Sequence, residues 1–315
     1  MICPNFFNIC IPSFAQNSGF GRGILVCGDP YNGSYCSFNR TLSFATYTES
    51  SNTNISTGNR IVQGMSGFSP SHTYHMKGYL LAGSTATTVN KLSAYTATET
   101  VPTISFSVER RGGGTNMPHY QRSRLYFYGG YSDSLGQYRA DTTYVTQNTD
   151  TATNATSLPA GRHMAGTIWT STNAYIMDGY TTGGGYSNTT YKYVFSSDTA
   201  STSTASVTVN QNPYGMSSNV YGYRCFGTNI GYTGNNKLSW STETWATAPN
   251  GPESQSSMLG GCGMATQTDG FLWTGYQSYL KRILYRLTWS TETWTNNSYT
   301  TADANSGFIL YSGIC

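Results

Sequence analysis

The stretch from Leu238 to Trp245 reads Leu-Ser-Trp-Ser-Thr-Glu-Thr-Trp, and it returns 49 residues later, from Leu287 to Trp294, as Leu-Thr-Trp-Ser-Thr-Glu-Thr-Trp. Its acidic residue stands between two hydroxyl residues, a pattern that marks further copies of the unit. Six such acids follow one another at intervals of 45 to 51 residues: Glu49, Glu99, Asp150, Asp198, Glu243 and Glu292. Intervals this regular are typical of a tandem array of supersecondary units.

Four short strands are predicted in each unit. In the fourth unit they span residues 164–169, 174–180, 190–195 and 205–209, and Asp198 lies in the turn between the third and the fourth. These segments have the length of strands and are bounded by Gly, Ser, Asn and Pro. No part of the chain has a sustained helical period. The sequence therefore predicts an all-β fold.

The two ends of the chain complement each other. Residues 306–313 look like a first strand with no second strand after it, whereas the first unit begins with its second strand, about 20 residues into the chain. An open array would leave unpaired edge strands that promote aggregation, and closure removes them. We therefore expect a six-bladed β-propeller with four antiparallel strands per blade, in which the C-terminal strand joins the N-terminal blade and closes the ring.

Domain boundaries follow from the same spacing. We expect residues 1–19 to form an N-terminal arm or an extra strand, and residues 20–315 to form a single propeller. The predicted blades and closing strand span, in order, about residues 20–57, 58–107, 108–158, 159–209, 210–250, 251–300 and 301–315.

The 315-residue chain is nearly neutral, since only 10% of its residues are charged and its net charge is +3. Such a balance argues against binding of nucleic acid or of an anionic membrane surface. No apolar run approaches the roughly 20 residues that a membrane helix needs. The first residues lack the basic segment of a secretory signal, so we expect no leader there and no membrane insertion.

Three features resemble the kelch repeat over about residues 20–315. They are the pair Gly129-Gly130 at the end of a second strand, aromatic residues in the third strand, and the turn from Trp240 through Glu243 to Trp245. The resemblance implies a kelch-like β-propeller. A looser similarity, carried by turns such as Ser197-Asp198-Thr199-Ala200, is to propeller-like structural proteins of tailed bacteriophage virions, and it implies a structural role in a virus particle.

The six acids, together with Trp240, Trp245, Trp289 and Trp294, are interpreted as structural residues of the repeated turns. A short acid in a turn accepts hydrogen bonds from backbone N–H groups, and the flanking hydroxyls do the same. The alternative is a ring of carboxylates for metal binding or catalysis. In a propeller these turns lie towards the outer rim, too far apart for one active site.

A metal site is considered at His72, His75 and His119, which fall in loops between the first and second strands of neighbouring units. Neutral imidazoles bind transition metals. No Cys or acid stands beside these histidines at a ligand spacing, so we interpret them as loop residues. The sequence also has no Gly-x-Ser-x-Gly elbow, phosphate loop or His-Glu-x-x-His motif. We therefore expect no metal, no cofactor and no enzymatic activity.

Tyrosines follow the second strands of several units, in loops that would gather on one face of a propeller. These candidate ligand-binding residues are Tyr31, Tyr131, Tyr180, Tyr186, Tyr232 and Tyr276. An exposed tyrosine offers a large amphipathic contact at low entropic cost, which suits binding of sugars or proteins. The alternative is that these rings pack between blades.

The sequence favours a non-enzymatic function. In the first hypothesis the chain is a structural or appendage protein of a tailed-phage virion, assembled in the host cytoplasm. Its propeller would dock to other virion proteins or to copies of itself, or adhere to a cell-surface glycan or receptor. The alternative is a lectin-like or protein-binding propeller, extracellular and unconnected with a virus. The third hypothesis, a copper oxidase or glycosidase propeller, lacks the ligand motifs of the former and the Asp-x-Gly boxes of sialidases.

Overall fold

The structure is a computed structural model. It describes residues 22–27, 39–43, 46, 49–52, 62–66, 77–82, 89–93, 99–100, 104–107, 114–115, 124–132, 134–146, 148–206, 213–225, 234–249, 251, 262–266, 268–273, 276–277, 279–280, 284–297 and 311–314. These residues form strands and turns and no helix, so the predicted all-β class is confirmed. The predicted arm at residues 1–19 lies outside the described residues.

The described residues form six four-stranded antiparallel sheets, which we number 1 to 6 along the chain. Sheet 1 consists of β1 (Arg22–Cys27), β2 (Asn39–Ser43), β3 (Glu49–Asn52) and β28 (Tyr311–Ile314), in the order β28-β1-β2-β3. Sheet 2 consists of β4 (Val62–Ser66), β5 (Lys77–Ala82), β6 (Val89–Ser93) and β7 (Glu99–Thr100). Sheet 3 consists of β8 (Gly114–Thr115), β9 (Arg124–Ser132), β10 (Gln137–Thr146) and β11 (Thr151–Ala155).

Sheets 4 to 6 repeat this up-and-down order. Sheet 4 consists of β13 (Gly166–Trp169), β14 (Asn173–Met177), β16 (Thr189–Val194) and β17 (Thr199–Ser206). Sheet 5 consists of β18 (Tyr214–Ser217), β19 (Tyr221–Cys225), β20 (Asn236–Ser239) and β21 (Trp245–Thr247). Sheet 6 consists of β22 (Cys262–Ala265), β23 (Asp269–Trp273), β26 (Leu284–Thr288) and β27 (Thr293–Asn297). Two short pairs are added by β12 (Arg162–His163) with β15 (Tyr180–Thr181), and by β24 (Tyr276–Gln277) with β25 (Tyr279–Leu280).

The fourth strand of sheet 4 begins earlier than the sequence predicts. β17 starts at Thr199, directly after the acid Asp198, and not at residue 205. The reason is the short turn, since Val194 already pairs with Thr199 across four residues. A turn of that length reverses the chain at once, so strand pairing resumes immediately after the acid.

The strand nearest the C-terminus lies beside the strand nearest the N-terminus. β28 pairs antiparallel with β1, from Ile24 opposite Ile314 to Cys27 opposite Tyr311. On its other side β1 pairs with β2. Sheet 1 is therefore built from both ends of the described chain.

The first strands of the six sheets contact one another in series. Taken in the chain order of their sheets, they are β28, β4, β8, β13, β18 and β22. Contacts join β28 to β4, β4 to β8, β8 to β13, β13 to β18, β18 to β22, and β22 to β28. Every first strand thus has a first strand as its neighbour on either side.

Glycine permits the close approach of these first strands. A Cβ atom on Gly215 of β18 would overlap the carbonyl oxygen of Thr167 in β13, and a Cβ atom on Gly263 of β22 would overlap the carbonyl oxygen of Gly215. Glycine is the residue that allows one backbone to approach another so closely. Any side chain at these positions would force neighbouring first strands apart.

The hydrophobic cores lie between consecutive sheets. Between sheets 3 and 4, Tyr126 and Tyr128 pack against Ile176 and Tyr193. Between sheets 5 and 6 the buried members are Tyr214, Met216, Tyr223, Cys225, Ala248, Leu272, Tyr285 and Leu287. Tyrosines on the strands therefore serve as packing residues between sheets.

Candidate functional site

Four of the six marker acids lie in described turns and share a left-handed backbone. Asp150, Asp198, Glu243 and Glu292 have φ values between 50° and 52°. Few non-glycine residues adopt this conformation, and Asp tolerates it better than Glu. The backbone alone therefore does not explain the two glutamates. The remaining acids, Glu49 and Glu99, are the first residues of β3 and β7.

Glu292 binds two side chains of the preceding sheet. Lys237 on β20 donates hydrogen bonds from Nζ to both carboxylate oxygens of Glu292, at 2.6 and 2.7 Å. Tyr223 on β19 donates its hydroxyl hydrogen to the same carboxylate at 2.9 Å. Burial, followed by the hydrogen bond to Glu292, raises the pKa of Tyr223, so the hydroxyl keeps its proton and remains a donor. Trp289, at the start of the same turn, stacks on the Tyr223 ring.

The turn of sheet 5 makes the corresponding contacts with sheet 4. Lys192 on β16 pairs with Glu243. The indole of Trp240 stacks on the ring of Tyr175 on β14, with centroids 5.7 Å apart and planes 20° apart. Burial, and then the neighbouring carboxylate of Glu243, raise the pKa of Tyr175.

The turn of sheet 4 follows the same scheme with different residue types. Asp198 accepts hydrogen bonds from Arg124 Nη1 at 3.3 Å and from the hydroxyl of Tyr126 at 3.0 Å, both on β9 of sheet 3. Phe195 takes the place of the tryptophan, with its ring centroid 5.1 Å from that of Tyr126. Burial is the main cause that raises the pKa of Tyr126 to about 12.

We call each of these arrangements an inter-sheet clamp, formed by the aromatic residue and the acid of one turn with a tyrosine and a cation of the preceding sheet. The sequence interpretation gave the acids a role within their own turns. Asp198, Glu243 and Glu292 also make ion pairs with the preceding sheet, which the sequence interpretation did not predict. The repeated turns therefore join one sheet to the next.

Three of the four tryptophans of the repeated turns donate their indole N–H groups to backbone carbonyl oxygens. Trp240 donates to the carbonyl oxygen of Ser218 at 2.9 Å, and Trp289 donates to that of Thr266 at 3.0 Å. Trp294 donates to the carbonyl oxygen of Pro249 at 3.2 Å. The fourth residue, Trp245, packs against the buried core between sheets 4 and 5. Buried indoles usually need such a partner, so these bonds fix the orientation of the rings.

Three of the six candidate tyrosines lie together where sheets 3 and 4 end. The ring centroids of Tyr131 and Tyr180 lie 5.7 and 6.5 Å from that of His163. The ring of Tyr186 lies 4.5 Å from that of Tyr180. Tyr138 completes the group, at 5.2 Å from Tyr131 and 6.4 Å from Tyr180. We call these five residues the aromatic cluster.

Backbone pairing positions the members of the aromatic cluster. In the β9–β10 hairpin Tyr131 is the partner of Tyr138. In the short β12–β15 pair His163 is the partner of Tyr180. Tyr180 and Tyr186 form an isolated β-bridge. Strand pairing therefore positions Tyr131, Tyr138, His163 and Tyr180, and a single bridge holds Tyr186 beside Tyr180.

Exposure varies across the aromatic cluster. His163 is buried, with 8% of its surface accessible, whereas Tyr186 is 41% exposed and the other three tyrosines are partly buried. The hydroxyl of Tyr180 donates a hydrogen bond to the hydroxyl of Tyr186 at 2.8 Å. The cluster thus combines accessible aromatic surface with hydroxyl groups, a combination that suits noncovalent binding.

A buried ion pair adjoins the aromatic cluster in sequence and connects it to sheet 5. Asp178, two residues before Tyr180, binds Arg224 with 2.5 Å between Oδ2 and Nε, and both side chains are fully buried. Burial raises the pKa of Asp178 to about 7, although the charge of Arg224 opposes the rise. Arg162, the neighbour of His163, donates from Nη1 to the carbonyl oxygen of Asp178 at 3.1 Å.

The other candidate residues are less informative. Tyr276 begins β24 and pairs with Leu280. Tyr31, Tyr232, His72, His75 and His119 lie outside the described residues. Among the residues with described side chains, no group of three or more His, Cys, Asp or Glu could hold a metal ion. In the same part of the chain no helix is long and apolar enough to cross a membrane.

Sequence comparison adds no relative to this description. No protein-family model and no curated protein matches the chain. Interpretation of the site therefore rests on its geometry and chemistry.

Two members of the aromatic cluster, Tyr138 and His163, were not predicted from the sequence. Tyr138 lies in a third strand and His163 lies before a first strand, so neither falls in the loops that were considered. The sequence did contain a signal for Tyr138. Gly136 lies between two segments with aromatic residues and indicates a tight turn, which would bring Tyr138 opposite Tyr131. No comparable signal pointed to His163, because its pairing with Tyr180 depends on how two short segments cross at the end of sheet 4.

Proposed function

We propose that this chain is a non-enzymatic docking module built as a closed, six-bladed, kelch-like β-propeller. Six four-stranded sheets, the pairing of β28 with β1, and the series of contacts that returns from β22 to β28 and β4 support this closure. In a ring, each sheet buries its two faces against its neighbours, which a lone four-stranded sheet cannot do.

The inter-sheet clamps support a rigid disc. Sheets 3, 4, 5 and 6 are joined in succession by three clamps, each combining a stacked or tilted aromatic pair with a charge-assisted hydrogen bond. Ionised partners make stronger hydrogen bonds than neutral ones. A disc fixed in this way suits a module whose function is to hold a partner and not to change shape.

The aromatic cluster supports binding as the function. It presents partly exposed tyrosine rings on a backbone fixed by strand pairing. Tyrosine supplies large contact area at low conformational entropy cost, which favours its use in recognition surfaces. This cluster is the observation that carries the proposal of a docking module.

We propose the tailed-phage virion as the setting of this module, in an appendage that meets the host. The low charge and the Gly, Ser, Thr and Tyr content suit a rigid external surface. Its partners in that setting are other virion proteins, copies of the same chain, and a glycan or receptor on the cell surface.

Closure is tested by comparing a truncated chain with a rearranged one. Deletion of residues 301–315 removes β28, whereas a permuted chain carries the same residues in front of residue 1 and keeps every strand. We expect the permuted chain to unfold at a similar denaturant concentration to the intact chain. The truncated chain should be markedly less stable and should aggregate, because the edge of β1 that pairs with β28 becomes unpaired. Equal stability of the truncated and intact chains would contradict a closed ring.

The setting is tested on particles. Mass spectrometry of purified virions should detect the chain, and antibodies against it should label an appendage and block adsorption to host cells. Absence of the chain from virions, combined with saturable binding by the isolated protein, would favour the lectin-like alternative. Virions that contain the chain but adsorb normally when antibodies cover it would assign it a purely structural place in the particle.

A further inference from the structure

The exposed edge of the aromatic cluster has room beside it. Gly183, Gly184 and Gly185 connect Thr182 to Tyr186, and a Cβ atom built on any of the three would meet no atom within 4 Å. Gly136, at the tip of the β9–β10 hairpin, is equally open. The loops next to Tyr131, Tyr138 and Tyr186 therefore carry no bulky side chains at these positions, and a ligand could reach the rings.

The tyrosines of the aromatic cluster carry neutral hydroxyl groups. Tyr180 and Tyr186 are linked through their hydroxyl oxygens, and a tyrosine hydroxyl can both donate and accept hydrogen bonds. The ring of Tyr186 provides the most accessible aromatic face of the cluster. A flat apolar face next to hydroxyl groups complements a ligand that has both a C–H face and hydroxyls of its own.

Two ion pairs lie near the aromatic cluster in the part of the chain that the structure describes. Arg139, which follows Tyr138, donates from Nε and Nη2 to one carboxylate oxygen of Asp141, with 2.7 Å for the Nε bond. Asp178 is paired with Arg224 and is fully buried. The described charges beside Tyr138 thus neutralise each other, and the guanidinium of Arg162 is buried, so charge complementarity among the described residues favours a neutral ligand.

We propose that the aromatic cluster is a binding subsite for a neutral saccharide. One face of a hexopyranose, which consists of C–H groups, would stack on Tyr186, and the sugar hydroxyls would hydrogen-bond to the hydroxyls of Tyr180 and Tyr186. His163 packs against Tyr131 and Tyr180, and Tyr180 in turn packs against the exposed ring of Tyr186. This inference rests on the proposed docking function and specifies its ligand class.

Saturation-transfer NMR with free glucose, galactose, mannose and their neutral disaccharides tests the subsite directly, and a glycan array extends the test to longer chains. We expect at least one neutral sugar to bind saturably, with transfer strongest from tyrosine ring protons. Tyr186→Ala should weaken binding about tenfold or more, because it removes an aromatic anchor. Tyr186→Phe keeps the ring and should lose only a few-fold.

A control for general surface effects is Val220→Ala, which alters a 58% exposed residue of sheet 5 away from the cluster and should leave binding unchanged. Because Tyr186 is exposed, Tyr186→Ala should also keep the thermal stability of the parent. The proposal is wrong if no neutral sugar binds, if only sialylated or sulfated glycans bind, or if Tyr186→Ala binds as well as the parent. Virions that still adsorb through this chain while no sugar binds would overturn the saccharide subsite and leave the docking function standing.

Discussion

Trp289 of sheet 6 stacks on Tyr223 of sheet 5, with ring centroids 4.9 Å apart and ring planes 18° apart. We expect Trp289→Ala to lower the free energy of unfolding by about 2 to 4 kcal/mol, somewhat less than for a fully buried tryptophan because the indole is partly exposed. Trp289→Phe should lose about half as much, since Phe195 occupies the same place in the clamp between sheets 3 and 4. Chemical denaturation measures both changes. Equal losses for Ala and Phe would contradict a role for ring stacking.

The ion pair between Lys237 and Glu292 should couple sheets 5 and 6 modestly. Its side chains are 18% and 28% exposed, so solvent screens the attraction. A double-mutant cycle with Lys237→Met and Glu292→Gln should give a coupling energy of about 0.5 to 1 kcal/mol that falls in 1 M salt. Lys192→Met with Glu292→Gln is the control, because Lys192 pairs with Glu243, and these two changes should be additive.

Gly215→Ala should be strongly destabilising. The added Cβ would overlap the carbonyl oxygen of Thr167 on the neighbouring first strand. We expect a loss of about 3 kcal/mol or more in unfolding free energy, or failure to fold. Gly185→Ala is the matched control, since nothing lies within 4 Å of its Cβ position, and it should stay within about 0.5 kcal/mol of the parent. Comparable stability of the two variants would mean that the first strands do not touch at Gly215.

Asp178→Asn should cost about 3 to 5 kcal/mol above about pH 8, where the carboxyl of Asp178 is ionised in the folded protein. The substitution leaves the guanidinium of Arg224 buried without its countercharge, and an uncompensated buried charge is expensive. Asp141→Asn disrupts an ion pair that is partly exposed and should cost about 1 kcal/mol or less. Thermal or denaturant unfolding of the two variants distinguishes a buried pair from a solvated one.

The pKa of Asp178 predicts a pH dependence of stability. Burial raises this pKa to about 7 in the folded protein, so between about pH 4 and pH 7 the folded state keeps a proton that the unfolded state has released. The unfolding free energy should therefore decrease as the pH rises through this range, by at most about 1.4 kcal/mol per pH unit, and level off above it. NMR titration of the Asp178 carboxyl carbon should have a midpoint near 7. A midpoint near 4 would show that Arg224 and Arg162 outweigh burial.

Periodicity made the strand content predictable. In sheets 3 to 6 the acid marker recurs because each has the same left-handed residue in the turn between its third and fourth strands. Alternating apolar positions and glycines identify strands without knowledge of their neighbours. The repeated strand order also identified the C-terminal strand, because it resembles a first strand but no second strand follows it. The error at β17 arose at a boundary, because Ser and Thr side chains after Asp198 give no apolar alternation that would reveal pairing.

The sequence alone thus determined the local structure of this protein: its repeat length, its all-β class and the turns that carry the acids. Only the tertiary structure decided which residues meet, because the partner of a turn acid lies on another sheet, 51 residues away for Lys192 and Glu243 and 69 for Tyr223 and Glu292. The same holds for the aromatic cluster and for Asp178 with Arg224. Local patterns follow from backbone geometry within a few residues, whereas these contacts depend on how whole sheets pack against each other.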